Sequence, residues 1–299
     1  MSSSEYEYLA LCRTILEKGE PRHTRNGLTR SIFGAQLRFD LRDGFPLLTT
    51  KKMFHRGIIE ELLWFMRGQT DNRILRDKGV HIWDGNSTRE YLDGRGLTHY
   101  PVDECGPIYG YQWRRFNCPY AGRDTPIADI PVIRPENDQL KEVVRLLRED
   151  PTSRRILLSG WNPCQLKEMC LEPCHVLYQF YVDADRGLRC SMYQRSADFF
   201  LGVPFNIASC AILTHILADV CGLIPREIII SFGDAHIYED HVDVVKTQLT
   251  RHPHPYPRLI LQKSGKGVAD IDEYLATLTA EDFHIAGYTS YPALKAKML

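Results

Sequence analysis

The stretch from Pro173 to Ser209 restricts the fold of this chain more than any other. Val176 to Val182 and Leu188 to Arg195 have the composition of strands, and Asp183-Ala184-Asp185-Arg186-Gly187 between them is turn-rich, so the three segments read as a β-hairpin. Pro173 fixes the approach to Cys174 directly before the first strand, and the return strand leads Arg195, Asp198 and Asn206 back beside it. A thiol reacts as its thiolate, so Arg195 next to Cys174 would both activate sulfur and hold an anionic substrate. An arbitrary cysteine is more often a packing residue. Here the setting makes Cys174 a candidate nucleophile with an anion site. Asn206 to Val220 then reads as an apolar helix closed by Gly222, with Asn206 either its cap or a functional amide.

The flanking chain supplies helices and strands without a steady βαβ rhythm, which predicts an α+β fold. Tyr6 to Lys18 carries Leu9, Cys12, Ile15 and Leu16 on one stripe, with Gly19 as its stop. From Ser31 to Leu41, Phe33, Ala35, Leu37, Phe39 and Leu41 alternate with more polar residues, a strand with one buried face. Arg25-Asn26-Gly27 precedes it as a polar loop. Phe54 to Arg67 is helical by pattern, and its adjacent acids Glu60 and Glu61 point about 100° apart, so at most one faces the core. A carboxyl there would have a raised pKa and relay protons near neutrality, whereas an exposed one is only a solvated charge. Cys118 to Glu136 reads as a surface loop, after which Asn137 caps a helix carrying Leu140, Val143, Val144 and Leu147. Ile228-Ile229-Ile230 is a buried strand leading to His236 and Tyr238, each a packing residue or a binding one.

Charge and cysteines exclude several classes. With 37 basic and 38 acidic residues in 299, the net charge of −1 carries no polyanion footprint, so nucleic-acid binding, RNA included, is not supported. Nine cysteines lie scattered without CxxC pairs, as expected of reduced thiols in the cytoplasm or nucleus; Cys170 and Cys174 are spaced too widely for a redox pair. No signal-like apolar core opens the chain and no apolar run reaches spanning length, which predicts a soluble protein without a membrane. No repeat or interdomain linker divides it, so residues 1–299 are expected to form one stand-alone domain.

The run Gln194-Arg195-Ser196-Ala197-Asp198-Phe199-Phe200-Leu201-Gly202-Val203-Pro204-Phe205-Asn206 resembles the signature of the thymidylate synthase family. The likeness extends through Phe45-Pro46-Leu47-Leu48-Thr49-Thr50-Lys51-Lys52, Glu60-Glu61-Leu62-Leu63-Trp64-Phe65, Ile82-Trp83-Asp84, Gly106-Pro107-Ile108-Tyr109-Gly110, Arg154-Arg155, Trp161-Asn162-Pro163 and Gly233-Asp234-Ala235-His236-Ile237-Tyr238, in that order. It implies a large mixed β-sheet with surrounding helices and a homodimer packed sheet to sheet. It also implies reductive methylation of deoxyuridine monophosphate (dUMP) by 5,10-methylenetetrahydrofolate, the co-substrate being carbon donor and reductant, with no metal.

The same resemblance assigns roles. Cys174 is the nucleophile, Glu61 the proton relay, Tyr109 the group assisting proton removal through water, and Asn206 the amide that reads uracil. Arg25, Arg195 and Ser196 hold the phosphate with Arg154 and Arg155 of the second subunit, while Asp198, His236 and Tyr238 complete the nucleotide site. Ile82, Trp83, Asn86, Asp198, Leu201, Gly202, Phe205 and Leu299 are implied to face the folate, and a C-terminal tail closes over both ligands. This chain departs from the family's pattern in a loop one residue shorter at Arg25, in Ala197 where glycine is common, in a longer 118–136 loop and in a shorter tail. A pyrimidine hydroxymethylase on the same fold, or a nucleotide- or RNA-binding protein without turnover, are the alternatives. Asn206 favours uracil over cytosine, whose ring edge reverses donor and acceptor.

Overall fold

A computed structural model describes residues 3–297. The elements run α1 (Ser3–Lys18), β1 (Glu20–Thr24), β2 (Gly27–Asp40), α2 (His55–Met66), α3 (Arg73–Arg76), α4 (Arg89–Gly94), α5 (Tyr109–Arg115), α6 (Gln139–Glu149), β3 (Leu157–Ser159), β4 (His175–Val182), β5 (Gly187–Asp198), α7 (Gly202–Cys221), β6 (Ile224–Tyr238), α8 (Val242–Leu249), β7 (Arg258–Leu261), α9 (Ile271–Thr277) and β8 (Phe283–Ala286). Six strands form one mixed sheet in the order β1-β2-β6-β5-β4-β3, and β7 pairs with β8 separately. This is the expected α+β architecture, a large mixed sheet with helices around it.

The predicted hairpin forms as β4 and β5, antiparallel with His175 opposite Gln194. A register shift between His175 and Leu177 places a bulge at Val176, whose carbonyl is taken by the Gly160 N–H at 3.0 Å. Strands β5 and β6 are parallel and therefore need a crossover, which α7 provides. That helix ends on Gly222 at φ 65°, a left-handed cap that glycine adopts without strain. At 20 residues α7 has the length and composition of a membrane span, contrary to the expectation of no such run, but 78% of its apolar window is buried inside the fold as a core helix. The α2 and α5 backbones approach closely at Gly110, where an added Cβ would stand 2.3 Å from the Phe65 carbonyl oxygen.

Several expectations need correction. Arg25 and Asn26 form a two-residue turn joining β1 to β2, with Thr24 paired to Gly27, rather than a loop. Phe33 lies on the stripe read as buried yet is 82% exposed; Gly34, at φ 80°, interrupts the pleat before Leu37 and Phe39, which are buried as expected. Both Glu60 and Glu61 are buried, because α2 is enclosed on all sides from Gly57 to Met66, and Glu60 pairs with Lys78 at 2.6 Å. Asp138, not Asn137, caps α6, its side chain accepting from the Lys141 N–H at 3.2 Å. The 118–136 segment is not all surface loop, since Cys118 and Ile130 pack under it against Tyr111.

Candidate active site

The hairpin register sets the centre of the site. The Arg195 N–H donates to the Cys174 carbonyl at 2.9 Å, fixing the two residues side by side. The guanidinium then folds back, with Nε donating to the Pro173 carbonyl and Nη2 to that of Glu172, each at 2.9 Å, and it lies 5.4 Å over the Trp161 ring. The Cys174 N–H donates to the Tyr109 hydroxyl at 2.7 Å. Half-buried Cys174 is thus held at its backbone while its sulfur stays free of a disulfide.

The expectation that Arg195 activates this thiol is only partly met. Burial pushes the Cys174 pKa up, Arg195 and the Tyr109 hydroxyl pull it down, and burial wins. The thiol therefore sits above its ordinary range. Arg25 also lies close enough to Cys174 and Tyr238 to lower both pKa values, placing the turn at the mouth of the site.

Above the thiol lies an aromatic box. Tyr109, in the first turn of α5, packs 4.8 Å from Phe65, 5.3 Å from His175 and 6.0 Å from Trp83, centre to centre. Burial raises its phenol pKa well above the usual value, so it stays protonated, and the Cys174 N–H is positioned to steady any charge that develops on its oxygen. Trp83 is itself buried, and its Nε1 donates to Glu61 Oε1 at 2.8 Å. With that single hydrogen bond, desolvation carries the Glu61 pKa up to about 7, as a proton relay requires. Ile82 is partly buried against the core, and Asn86 donates its N–H to the Trp83 carbonyl at 3.1 Å.

Asn206 sits one turn into α7, which begins at Gly202, so it is not the helix cap. Its Oδ1 accepts from Gln194 Nε2 at 2.9 Å, and the same Gln194 nitrogen donates to the Ser196 carbonyl at 3.0 Å, orienting the Asn206 amide. Gln194 Oε1 is buried without a partner among the described residues. Buried His175 also touches the Asn206 side chain, and desolvation drops its pKa to about 4, so it is a neutral imidazole. Neither Gln194 nor His175 had been given a role from sequence. Their signal was only adjacency to Arg195 and Cys174.

Asp198 Oδ1 accepts from the Phe200 and Leu201 N–H groups at 2.9 and 3.1 Å, shaping the entry to α7, where Leu201, Gly202 and Phe205 are half-buried. The parallel register sets Asp198 beside His236, whose Nδ1 meets Asp234 Oδ1 at 3.0 Å, and β2 sets Thr29 beside Tyr238. Asp234, fixed also by Ser31 at 2.8 Å and Arg22 at 3.1 Å, is a supporting residue that sequence reasoning missed. Ser196 is half-buried in β5 between Arg195 and Ala197.

Arg154 and Arg155 are not brought to this site. Exposed ahead of β3, Arg155 extrapolates in register to Tyr181, seven residues along β4 from Cys174, which places it roughly 20 Å away at strand spacing. The tail is docked rather than frayed. The Tyr288 hydroxyl donates to the Leu48 carbonyl at 2.8 Å, the Tyr291 N–H to Thr49 at 2.9 Å, and the Lys297 carbonyl meets His241 Nε2 at 2.8 Å. Leu299 lies outside the described residues. No group of three or more His, Cys, Asp or Glu side chains able to hold a metal converges among the described residues. A cavity of about 440 Å³ opens between the Arg25 turn and α4, lined by Arg25, Gly85, Thr88, Glu90, Tyr91, Gly94 and Arg95.

Comparison with known proteins adds a family to this geometry. The family model of thymidylate synthase matches residues 6–299. The chain is 48% identical over 302 residues to the thymidylate synthase of Agaricus bisporus, covering 98% of each chain. It is 48% identical over 295 residues to the thymidylate synthase of human herpesvirus 8, covering 98% of this chain and 84% of that one. Identity to the bifunctional dihydrofolate reductase-thymidylate synthase of Paramecium tetraurelia is 48% over 295 residues, 98% of this chain and 61% of that one. The chain spans about half the length of other bifunctional relatives.

Proposed function

Since the chain belongs to the thymidylate synthase family, we propose that it converts dUMP to thymidine monophosphate. The observation that carries this reading is the convergence, in one site, of Cys174 beside Arg195, an Asn206 amide oriented by Gln194, and Glu61 with a pKa near neutrality. Arg195, Ser196 and Arg25 hold the nucleotide phosphate, and His236 and Tyr238 face the sugar.

The sulfur of Cys174 adds to C6 of uracil, and the displaced electron pair moves to C5 and the C4 carbonyl oxygen. Asn206, whose side chain has both a donor and an acceptor, reads the ring edge and steadies that oxygen. Glu61 shares its proton with the same region through water. The protonated Tyr109 hydroxyl assists, through water, in removing the C5 proton, and elimination of the Cys174 sulfur from C6 frees the product. The half-buried apolar surface of Ile82, Leu201 and Phe205 next to Asp198 suits a flat heterocycle with polar edges. The folate, 5,10-methylenetetrahydrofolate, supplies the carbon and the hydride and leaves as dihydrofolate. The docked tail excludes water.

The site is completed by a second copy of the chain. The sheet face bearing Tyr181 and Tyr193 is uncovered, Phe33 and Leu157 are exposed as well, and Arg154 and Arg155 sit too far from Cys174 to serve it within one chain. Mixing inactive Cys174→Ala with inactive Arg154→Ala/Arg155→Ala protein is expected to restore part of the activity in hybrid dimers. No recovery after verified subunit exchange would refute the shared site.

The reaction itself is tested by mass spectrometry of products from dUMP and methylenetetrahydrofolate, with dihydrofolate absorbance followed in parallel. Thymidylate with one equivalent of dihydrofolate is expected, and Cys174→Ala should bind nucleotide without turnover. A hydroxymethyl nucleotide without dihydrofolate would replace this reading with the hydroxymethylase.

A further inference from the structure

Immediately ahead of the nucleophile the chain carries a negative charge. Glu172 stands two residues before Cys174, its main-chain carbonyl accepts from Arg195 Nη2 at 2.9 Å, and its carboxylate raises the Cys174 pKa. Burial works against ionisation of Glu172, yet its own backbone N–H and the Arg95 and Arg195 guanidiniums hold its carboxyl below the ordinary range, so it is charged at neutral pH. A carboxylate at this point opposes the thiolate. It also competes for Arg195, the cation needed by both thiolate and substrate.

Arg95 answers that charge. It follows α4 directly, its N–H bonded to the Tyr91 and Leu92 carbonyls at 3.1 Å, and its Nη2 reaches Glu172 Oε1 at 2.5 Å and the Met169 carbonyl at 3.5 Å. Both side chains are about a quarter exposed, so the pair is partly shielded from water. These Nη2 contacts commit the Arg95 guanidinium to the loop that ends in Cys174, and its Nε is buried with no partner among the described residues. On its open side Arg95 lines the cavity that also contains Arg25.

We propose that Arg95 is a positioning residue for the nucleophile: by pairing with Glu172 it keeps that carboxylate off Arg195, leaving the Arg195 guanidinium free for the Cys174 thiolate and the substrate anion. The inference rests on the reading of Cys174 as the nucleophile. The other groups acting on the thiol are Arg195 from β5, Tyr109 from α5, Arg25 from the turn before β2, and Tyr238 from β6. Removal of Arg95 leaves these in place, and Glu172 is the one charged group it frees, the Met169 carbonyl being neutral.

The test is the pH profile of Cys174 alkylation by iodoacetamide, followed by mass spectrometry of the Cys174 peptide because Cys164 is exposed and would react as well. In Arg95→Leu the inflection should move up by about one pH unit, the effect of a nearby like charge on a titrating group. The KM for dUMP should rise by about 10-fold, as for loss of one charge-assisted contact, with kcat less affected. Adding Glu172→Gln to Arg95→Leu should return both readouts toward wild type, and Glu172→Gln alone should move the inflection down. An unshifted inflection in Arg95→Leu, or a double variant no better than the single one, would overturn the proposal. If Arg95→Leu fails to fold, an unchanged inflection in Glu172→Gln does so. The alkylation readout needs no turnover, so failure to make thymidylate leaves this test standing.

Discussion

Two buried carboxylates in this protein live in opposite surroundings. Glu5 on α1 accepts from the N–H and hydroxyl groups of both Thr49 and Thr50, at 2.8 to 3.1 Å. Glu61 on α2 accepts from Trp83 alone among the described residues, at 2.8 Å. Burial raises the pKa of both, but on Glu5 the threonine donors pull back, while on Glu61 a single indole leaves the value at about 7. The threonine cradle is itself anchored, Thr50 Oγ1 accepting from Gln248 and Thr49 Oγ1 from the His254 N–H. The difference teaches that hydrogen-bond supply, more than depth, separates a carboxylate that ties elements together from one whose pKa burial carries to about 7.

The largest effect should come from removing the exchangeable proton. Glu61→Gln keeps an oxygen for Trp83 and the shape of the side chain, so it is expected to fold. Its kcat should fall by about 10²- to 10⁴-fold, the usual range for a general acid–base group. Its stability should also lose a pH dependence. The folded pKa of about 7 lies above the unfolded value of about 4.3, so the folded state binds more protons between the two. Wild-type stability attributable to Glu61 is thus full below pH about 4.3 and declines as pH rises through about 7, by roughly 4 kcal/mol at most. Urea titrations of Glu61→Gln should lack that decline. A slope unchanged from wild type would show that Glu61 is no less satisfied than Glu5.

Glu5→Ala probes the other side of the comparison. It strands the Thr49 and Thr50 donors in a buried setting, and a loss of about 3 kcal/mol is expected from orphaned groups of this kind. Turnover per folded molecule should remain near wild type, measured as kcat corrected for the folded fraction in denaturant. A kcat loss comparable to that of Glu61→Gln would erase the distinction between the two sites.

Legibility in the sequence followed local geometry. Cys174 and Arg195 were placed together because a hairpin turn and strand spacing settle which residues meet, and the register bears this out. On α2 a stripe argument allows only one acid inside, whereas enclosure of the helix and the reach of Lys78 bury Glu60 as well as Glu61. Gln194 was invisible as an orienting group, since its contact with Asn206 depends on where β5 ends and α7 turns back. The Glu5 cradle joins residues 44 and 45 positions apart with no periodic signal between them. Phe33 misled because alternation assumes an unbroken pleat, and Gly34 breaks it.

The smallest effect should come from withdrawing the indole donor from Glu61. Trp83→Phe preserves most of the aromatic packing against Trp64, Phe65 and Tyr109 but deletes the indole N–H. Trp83 lowers the Glu61 pKa against the larger push of burial, so its loss should raise the value further, by about one unit for a single hydrogen bond to the charged form. The limb of kcat that reports this group should shift to higher pH by the same amount, while kcat in the acidic plateau changes only a few-fold. At neutral pH Glu61 would then be mostly protonated in the variant, and the wild-type balance between its two forms would be lost. A shift to lower pH would mean that another donor, not the indole, sets the proton affinity, and that Glu61 is supplied more like Glu5 than a single hydrogen bond implies.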